Sequence, residues 1–314
     1  MNLTPQWLET VLQKPVDELR VELIGQFSST VSRLHVTSRA GPRTLILKQP
    51  RHDRDERIGE SFIMEGQFYG SVAPLLNIRL PICYGYSDHF IVLEDIDTQA
   101  ISFKDGATAL HLERALPALR ALHQAMPETD LDWIPNFADA EFNNALASEF
   151  NLGWENNRVA LLELCPEFAA VGDHLHGRMQ EYYARLGRQP TLLQGDAHLE
   201  NIPLMNGSSE VVFFDWQGPR IGDGVFDAAY FLVMSLTSEE RRQSEMLWLS
   251  TYSGAEVSRD LWLSYRTAVA ARASGIVEIS ARHPDILSVA GGFPMVAKRC
   301  LVAAVDHAVQ EIVR

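Results

Sequence analysis

The spacing of apolar positions changes character near residue 97. Before it, short runs of alternating or continuous apolar residues read as strands: "RVELIGQF", "TVSRLHVTS" and "RTLILKQP", the last two joined through "AGPR", a turn rich in Gly and Pro. "DERIGESFIMEGQFYGSVAPLL" follows, with Ile58, Phe62, Ile63, Phe68, Tyr69 and Val72 at roughly helical spacing. Two further strands are predicted in "IRLPICYGYS" and "HFIVLEDI". The opening "MNLTPQWLETVLQK" reads as an amphipathic helix and not as a secretion leader, with Thr4 as its N-cap and Pro5 at the first helical position.

After residue 97 the period becomes helical. "TALHLERALPALRALHQAM" is predicted helical despite Pro117. So are "DAEFNNALASEF", "RVALLELCPEFAAVGDHLHGRMQEYYARLG", "SEERRQSEMLWLSTYSG", "AEVSRDLWLSYRTAVAARASGIVEIS" and the closing "PMVAKRCLVAAVDHAVQEIVR". Only Leu192 to Asp215 breaks the pattern with strand signals. The expected fold is α+β and bilobal. Residues 1–93 form a small β-rich lobe, 94–97 a hinge, and 98–314 a large, mainly helical lobe, with a ligand held in the cleft between them.

Composition narrows the classes of function. Of 314 residues, 46% are hydrophobic and 22% charged, ordinary globular values. The formal net charge of -14 argues against a nucleic-acid partner, because phosphate backbones call for clustered Lys and Arg. It is compatible with a cationic, amine-bearing ligand, and equally with plain solubility. The most apolar stretch, "ILSVAGGFPMVA", is short and interrupted by Gly291, Gly292 and Pro294, so no membrane span is expected. Cys83, Cys165 and Cys300 lack metal-site spacing and read as reduced thiols, which points to the cytoplasm.

The chemistry concentrates in "LLQGDAHLENIPLMNGSSEVVFFD". Asn206-Gly207 is a hairpin turn signal between two apolar runs. Such a hairpin returns Asp215 to the neighbourhood of Asn201, so that Asp196, Asn201 and Asp215 converge. A hard cation such as Mg²⁺ takes oxygen ligands from one or two protein groups and the rest from phosphate and water. Phosphoryl transfer needs that cation on the phosphates and a carboxylate beside the attacking hydroxyl. Asp-x-x-x-x-Asn followed by an Asp after a hairpin is the order and spacing of that machinery in kinases. Taken singly, each of these residues is an ordinary turn or cap residue. The ordered set is far more specific.

The first lobe offers the complementary parts. Lys48 ends the strand "TLILK", suited to the α- and β-phosphates, and Glu65 lies in the following helix, suited to holding that Lys. Glu56 and Glu60 compete with Glu65 for the role. Between the first two strands, Gly25, Ser28, Ser29 and Thr30 provide small residues and hydroxyls able to approach phosphate oxygens; a plain hairpin explains them as well. In "VLEDI" the backbone of Glu94 to Ile96 would face the adenine edge, although Glu94 and Asp95 also suit a solvated turn.

"QGDAHLEN", then "FFDWQGPRIGDGVFDAAYFL", resembles the aminoglycoside phosphotransferase and choline kinase superfamily, most closely its ecdysteroid-kinase-like branch. The resemblance runs from about Leu23 to Leu236 and is strongest in the loop and the Asp-Trp-Gln segment. It implies a protein-kinase-like fold and transfer of phosphate from ATP, with Mg²⁺, to a small-molecule hydroxyl. Asp196 is then the catalytic carboxylate, and Asn201 and Asp215 the metal ligands. His198 supports the loop, Asp227 anchors it from a helix start, and Asp223 can do either. Two departures stand out. Gln194 replaces the usual His, a scaffold position where Gln can still hydrogen-bond, and Ala228-Ala229 replaces Leu-Ala. No Ala-Pro-Glu segment follows Asp215, which favours a small acceptor over a protein.

A non-catalytic nucleotide-binding protein or scaffold on the same fold is the alternative, supported by Gln194 and the sparse glycine loop; a protein kinase is a more distant one. The acceptor itself is not encoded in a motif. "EFNNALASEF" and the acidic balance suit an amine, whereas Trp133, Trp154, Tyr182 and Tyr183 suit either core or an apolar pocket.

Overall fold

The computed structural model describes residues 2–26, 28–51, 56–99, 101–288 and 292–313. Gly291 lies outside them, and so does the side chain of Glu56. The chain divides into two compact units. The first is Met1–Gln99 with Pro127–Thr129 and Met205–Gly218; the second is Ala100–Met126, Asp130–Leu204 and Pro219–Arg314. The segment 205–218 therefore counts with the strands, whereas a sequence division at residue 97 leaves it with the helices.

In the first unit, α1 (Pro5–Leu12) is capped by Thr4, whose hydroxyl accepts from the Trp7 N–H. The strands β1 (Glu18–Gln26), β2 (Ser29–Ser38), β3 (Gly41–Pro50), β4 (Cys83–Ser87) and β5 (Phe90–Glu94) form one antiparallel sheet ordered β1-β2-β3-β5-β4. Leu34, Val36, Leu45, Leu47 and Val92 bury one face against Leu8, Leu12 and Val16. Side chains alternate across a strand, so Lys48 points to the opposite face from Leu47. The helix α2 (Glu56–Ser71) buries Phe62, Glu65, Phe68 and Tyr69, with Val72 buried just past its end, a spacing of three and four that places Glu65 on the inward stripe. Ile63, on the same apolar run, is 48% exposed.

The expected hairpin at 206–207 is a chain reversal and not a ladder. Gly207 takes φ +73°, and the Met205 N–H donates to the Glu210 carbonyl at 2.9 Å. Beyond the turn the chain bonds elsewhere, as the Phe213 N–H donates to the Arg79 carbonyl.

The second unit is helical: α3 (Ala109–Gln124), α4 (Ala140–Leu164), α5 (Ala169–Leu175), α6 (Met179–Leu186), α7 (Val225–Ser235), α8 (Ser238–Ser253), α9 (Arg259–Arg282) and α10 (Phe293–Asp306). Two short strands, β6 (Thr191–Leu193) and β7 (Arg220–Gly222), pair antiparallel. The sequence suggests two helices across 139–187. Instead α4 runs through to Leu164, and the break falls at Cys165-Pro166, where Pro disfavours helix at the residue before it. Trp154, Tyr182 and Tyr183 are core residues, each nearly fully buried. None of the described helices is long and apolar enough to cross a membrane.

The helix α9 packs against α4, α6, α7 and α10. Where α4 crosses it, a Cβ at Gly153 would lie 2.2 Å from the Val277 carbonyl oxygen. Gly153→Ala is therefore expected to lower unfolding stability by roughly 1–3 kcal/mol, the usual cost of overpacking. Urea denaturation measures it, and an unchanged midpoint would mean that α4 and α9 can separate without loss.

Candidate active site

The candidate side chains gather in two sets, one in each unit. In the first, Lys48 stands between two carboxylates. Its Nζ lies 2.7 Å and 2.6 Å from the two oxygens of Glu65, and 2.6 Å from Asp215 Oδ1. Glu65 is fully buried, the Lys48 side chain 10% exposed, and Asp215 the open member at 38%. Burial disfavours the Lys48 ammonium, but Asp215 and Glu65 outweigh it and hold the amine above its ordinary range. Burial likewise pushes the Glu65 carboxyl up, against the pull of Lys48. Gln217 Nε2 donates to Glu65 at 3.3 Å, and Trp216 stacks on Phe68 of α2 with ring centroids 3.9 Å apart. These contacts tie the Asp215 segment to the helix that carries Glu65. Glu60 is exposed. Asp215 takes φ +56°, the left-handed region, which Asp tolerates better than most residues.

The expected phosphate loop is shorter than its sequence suggests. Gly25 lies within β1, and Ser29 and Thr30 within β2, because strand pairing continues to Gln26 opposite Thr30. Only Ser28 of the four belongs to the turn itself. Ser29 is buried, whereas a side chain at Gly25 would meet nothing closer than Val31 Cβ at 4.0 Å. Glu94 and Asp95 are not a solvated turn. Glu94 accepts from Arg79 at 2.7 Å and from the Ile82 N–H at 3.1 Å, and Asp95 accepts twice from Arg33. Ile96 follows directly after, half-buried.

In the second unit, β6 delivers the chain to Gln194, Gly195 and Asp196. Leu192 and Leu193 are fully buried and anchor that strand, and Gly195 takes φ +81° at the turn. Asp227, buried at the start of α7, accepts from the Gln194 N–H at 2.7 Å and the Gly195 N–H at 3.0 Å. Gln194 is itself buried, and its Oε1 accepts from the Asp196 N–H at 2.7 Å. His123 meets Asp227 Oδ2 at 3.1 Å and the Tyr252 hydroxyl at 2.9 Å. Asp223, just before α7, accepts from the Val225 N–H at 3.1 Å, and burial raises its carboxyl above the ordinary range.

The Asp196 side chain is 43% exposed, and both of its carboxylate oxygens are hydrogen-bonded. Asn201 Nδ2 donates to its Oδ2 at 3.1 Å and to its backbone carbonyl at 2.9 Å. His198 Nε2 is 3.3 Å from Oδ2. The Glu200 N–H donates to His198 Nδ1, which leaves the ring proton on Nε2, facing Asp196. The Tyr230 hydroxyl donates to Oδ1. Burial works against this carboxylate, but His198, Tyr230 and Arg272 together hold it well below the usual carboxylate range. It is therefore ionised at neutral pH and able to accept a proton in a hydrogen bond. Buried His111 meets the Ile202 carbonyl at 2.6 Å and supports the far end of the loop.

The profile of the ecdysteroid kinase-like family matches residues 133–257. No curated protein sequence matches the chain. Among solved structures, the ethanolamine kinase of Plasmodium vivax aligns with a TM-score of 0.60 and 15% identity, covering 95% of this chain and 85% of that one. A choline/ethanolamine kinase family protein of Mesorhizobium loti aligns at 0.58 and 16%, covering 94% and 93%. The ADP-bound aminoglycoside phosphotransferase APH(2'')-Ib aligns at 0.57 and 15%, covering 96% and 97%. The fold is protein-kinase-like. The match to this kinase-like superfamily agrees with the resemblance carried by the "QGDAHLEN" and Asp-Trp-Gln segments.

Sequence reasoning missed Tyr230, Arg272, His111 and the part played by His123. Tyr230 lies three residues after Asp227 on an apolar helix, where an aromatic reads as core. Arg272 sits mid-helix without any motif.

Proposed function

We propose that the protein is a small-molecule O-phosphotransferase that uses MgATP. The observation that supports it most directly is the Lys48 ammonium held between buried Glu65 and half-open Asp215, a cation fixed for phosphate beside a carboxylate suited to a metal. Asp196, ionised and oriented by Asn201 and His198, would take the proton of the acceptor hydroxyl. The backbone of residues 94–97 would serve as the hinge that receives the base of the nucleotide, and the strand ends at Gly25, Ser29 and Thr30, with Ser28 in the turn between them, would cover the phosphates.

The residues fit a hard cation. No cluster of three His, Cys, Asp or Glu forms among the described residues, so no all-protein metal cage is present. Mg²⁺ does not need one, since it keeps water and phosphate oxygens as ligands. Asn201 commits its N–H groups to Asp196, which turns its amide oxygen into the donor atom left for a cation. Asp215 and Asn201 would hold the ion, and when bound it would neutralise the phosphate oxygens.

For the acceptor, a cavity of about 410 Å³ in the second unit is lined by Phe103, Met234, Phe293, Met295 and Val296, with Glu200 among its lining residues. Phe103 also packs on His198 with centroids 5.1 Å apart, so the cavity adjoins the Asp196 loop. These walls favour an acceptor with an apolar flank, and Glu200 and Lys104, both lining residues, suit one that also carries polar groups. The cytoplasm, where MgATP is plentiful, is the proposed compartment.

A ligand that binds only the folded state raises its melting temperature. MgATP is expected to raise it by several degrees, ATP with chelator by less, and the shift is expected to vanish in Asp215→Ala. Well-folded protein that responds to no nucleotide would make the non-catalytic scaffold the better reading.

A further inference from the structure

We infer that Tyr230, held by Arg272, is a positioning residue that leaves Asp196 one place at which to take an acceptor hydroxyl. This rests on the phosphotransferase reading above. A carboxylate oxygen offers two lone-pair directions. On Oδ2 both are used, by Asn201 Nδ2 at 3.1 Å and by the protonated Nε2 of His198 at 3.3 Å. On Oδ1 one is used, by the Tyr230 hydroxyl. The remaining direction on Oδ1, beside the phenol, is where the acceptor O–H donates. Its proton moves to Asp196 as the acceptor oxygen bonds to the γ-phosphorus and the bond to the β-phosphate oxygen breaks, releasing ADP.

The phenol is held in place, because α7 is buried along its whole length and Tyr230 is 5% exposed. The Arg272 guanidinium lies over its ring, 4.0 Å from the centroid. Arg272 comes from α9, is 6% exposed, and sits against Gly275, where a Cβ would fall 2.9 Å from Nη2. A planar cation stacked on a buried ring resists rotation of that ring. Phenol, guanidinium and helix thus confine the Asp196 carboxylate to one orientation. No local sequence pattern requires this arrangement, and packing of α7 on α9 creates it.

A double-mutant cycle on the full chain tests the inference, with MgATP and water as the probe reaction and ethanolamine, glucose and octanol as alcohol probes. Tyr230→Phe is expected to lower kcat about tenfold to a hundredfold, the worth of one hydrogen bond to a charged group. The KM for MgATP is expected to stay within about twofold. In an Asp196→Ala background the same change is expected to do nothing further, since Tyr230 acts only through that carboxylate. Arg272→Met, which keeps the phenol and fills the volume, is expected to show a smaller loss of the same kind and again none without Asp196; it carries the test if Tyr230→Phe fails to fold.

Wild-type kcat in both variants would overturn the inference. So would additive losses in the Asp196→Ala background, or a fall in kcat matched by a rise in KM for MgATP, which marks a general structural defect. In those cases the wild-type turnover still stands and only the inference falls. A wild-type protein with neither turnover nor a nucleotide-dependent melting shift would overturn the phosphotransferase reading and the inference with it.

Discussion

Asp196→Ala is expected to reduce phosphoryl transfer by about 10²–10⁴-fold, the usual contribution of a positioned general base, while MgATP still raises the melting temperature as it does in the wild type. The separation follows from where the groups lie. On the proposed reading, nucleotide affinity would rest on Lys48, Glu65 and Asp215, which form their ion pairs within the first unit. Asp196 belongs to the second unit and is bound up with Asn201, His198 and Tyr230. The variant is expected to fold, because the loop keeps its anchors: Asp227 still receives the Gln194 and Gly195 N–H groups, and His111 still meets the Ile202 carbonyl. The measurement pairs product formation with a nucleotide melting titration. Transfer at the wild-type rate would remove Asp196 from the chemistry.

Glu65→Ala carries the largest expected effect on stability, a loss of about 3–5 kcal/mol, the range for breaking a buried ion pair from one side. Glu65 is fully buried and Lys48 nearly so. Truncation leaves an ammonium in the interior with Asp215, itself 38% exposed, as its carboxylate partner. It also removes the acceptor for Gln217. Glu65→Gln keeps a hydrogen-bond acceptor and is expected to cost less. Replacing Lys48 and Glu65 together by Met and Leu is expected to recover much of the loss, since the penalty comes from a buried ammonium left with one half-exposed partner and not from the missing attraction. Urea midpoints at constant slope give the comparison. A Glu65→Ala protein within about 1 kcal/mol of wild type would mean that Lys48 finds another partner or solvent.

The resemblance to small-molecule phosphotransferases was carried by residues close together in sequence. Asp196 and Asn201 lie in one loop whose spacing alone brings the Asn amide to the Asp carbonyl and carboxylate. The strand carrying Lys48, the helix of Glu65 and the sheet around them were equally legible, because alternation and helical period are local consequences of which face is buried. Around the site, two local expectations failed. The Asn206-Gly207 turn formed without a ladder, since the chain beyond it pairs with Arg79. The small residues from Gly25 to Thr30 were largely absorbed into β1 and β2 by continued pairing.

By itself, then, the sequence determined the order of elements, the lysine and carboxylates available, and the loop joining Asp196 to Asn201. It did not determine which partners those groups would meet. The choice of Glu65 over Glu60 depended on which stripe of α2 turned inward. The pairing of Asp215 with Lys48 depended on Trp216 stacking against Phe68, and the hold of Tyr230 and Arg272 on Asp196 depended on α7 packing against α9. Backbone hydrogen bonding and side-chain period act over a few residues and can be read along the chain. Burial has no direction along it: it brings distant segments together by fit, and charges acquire their partners only once those segments have packed.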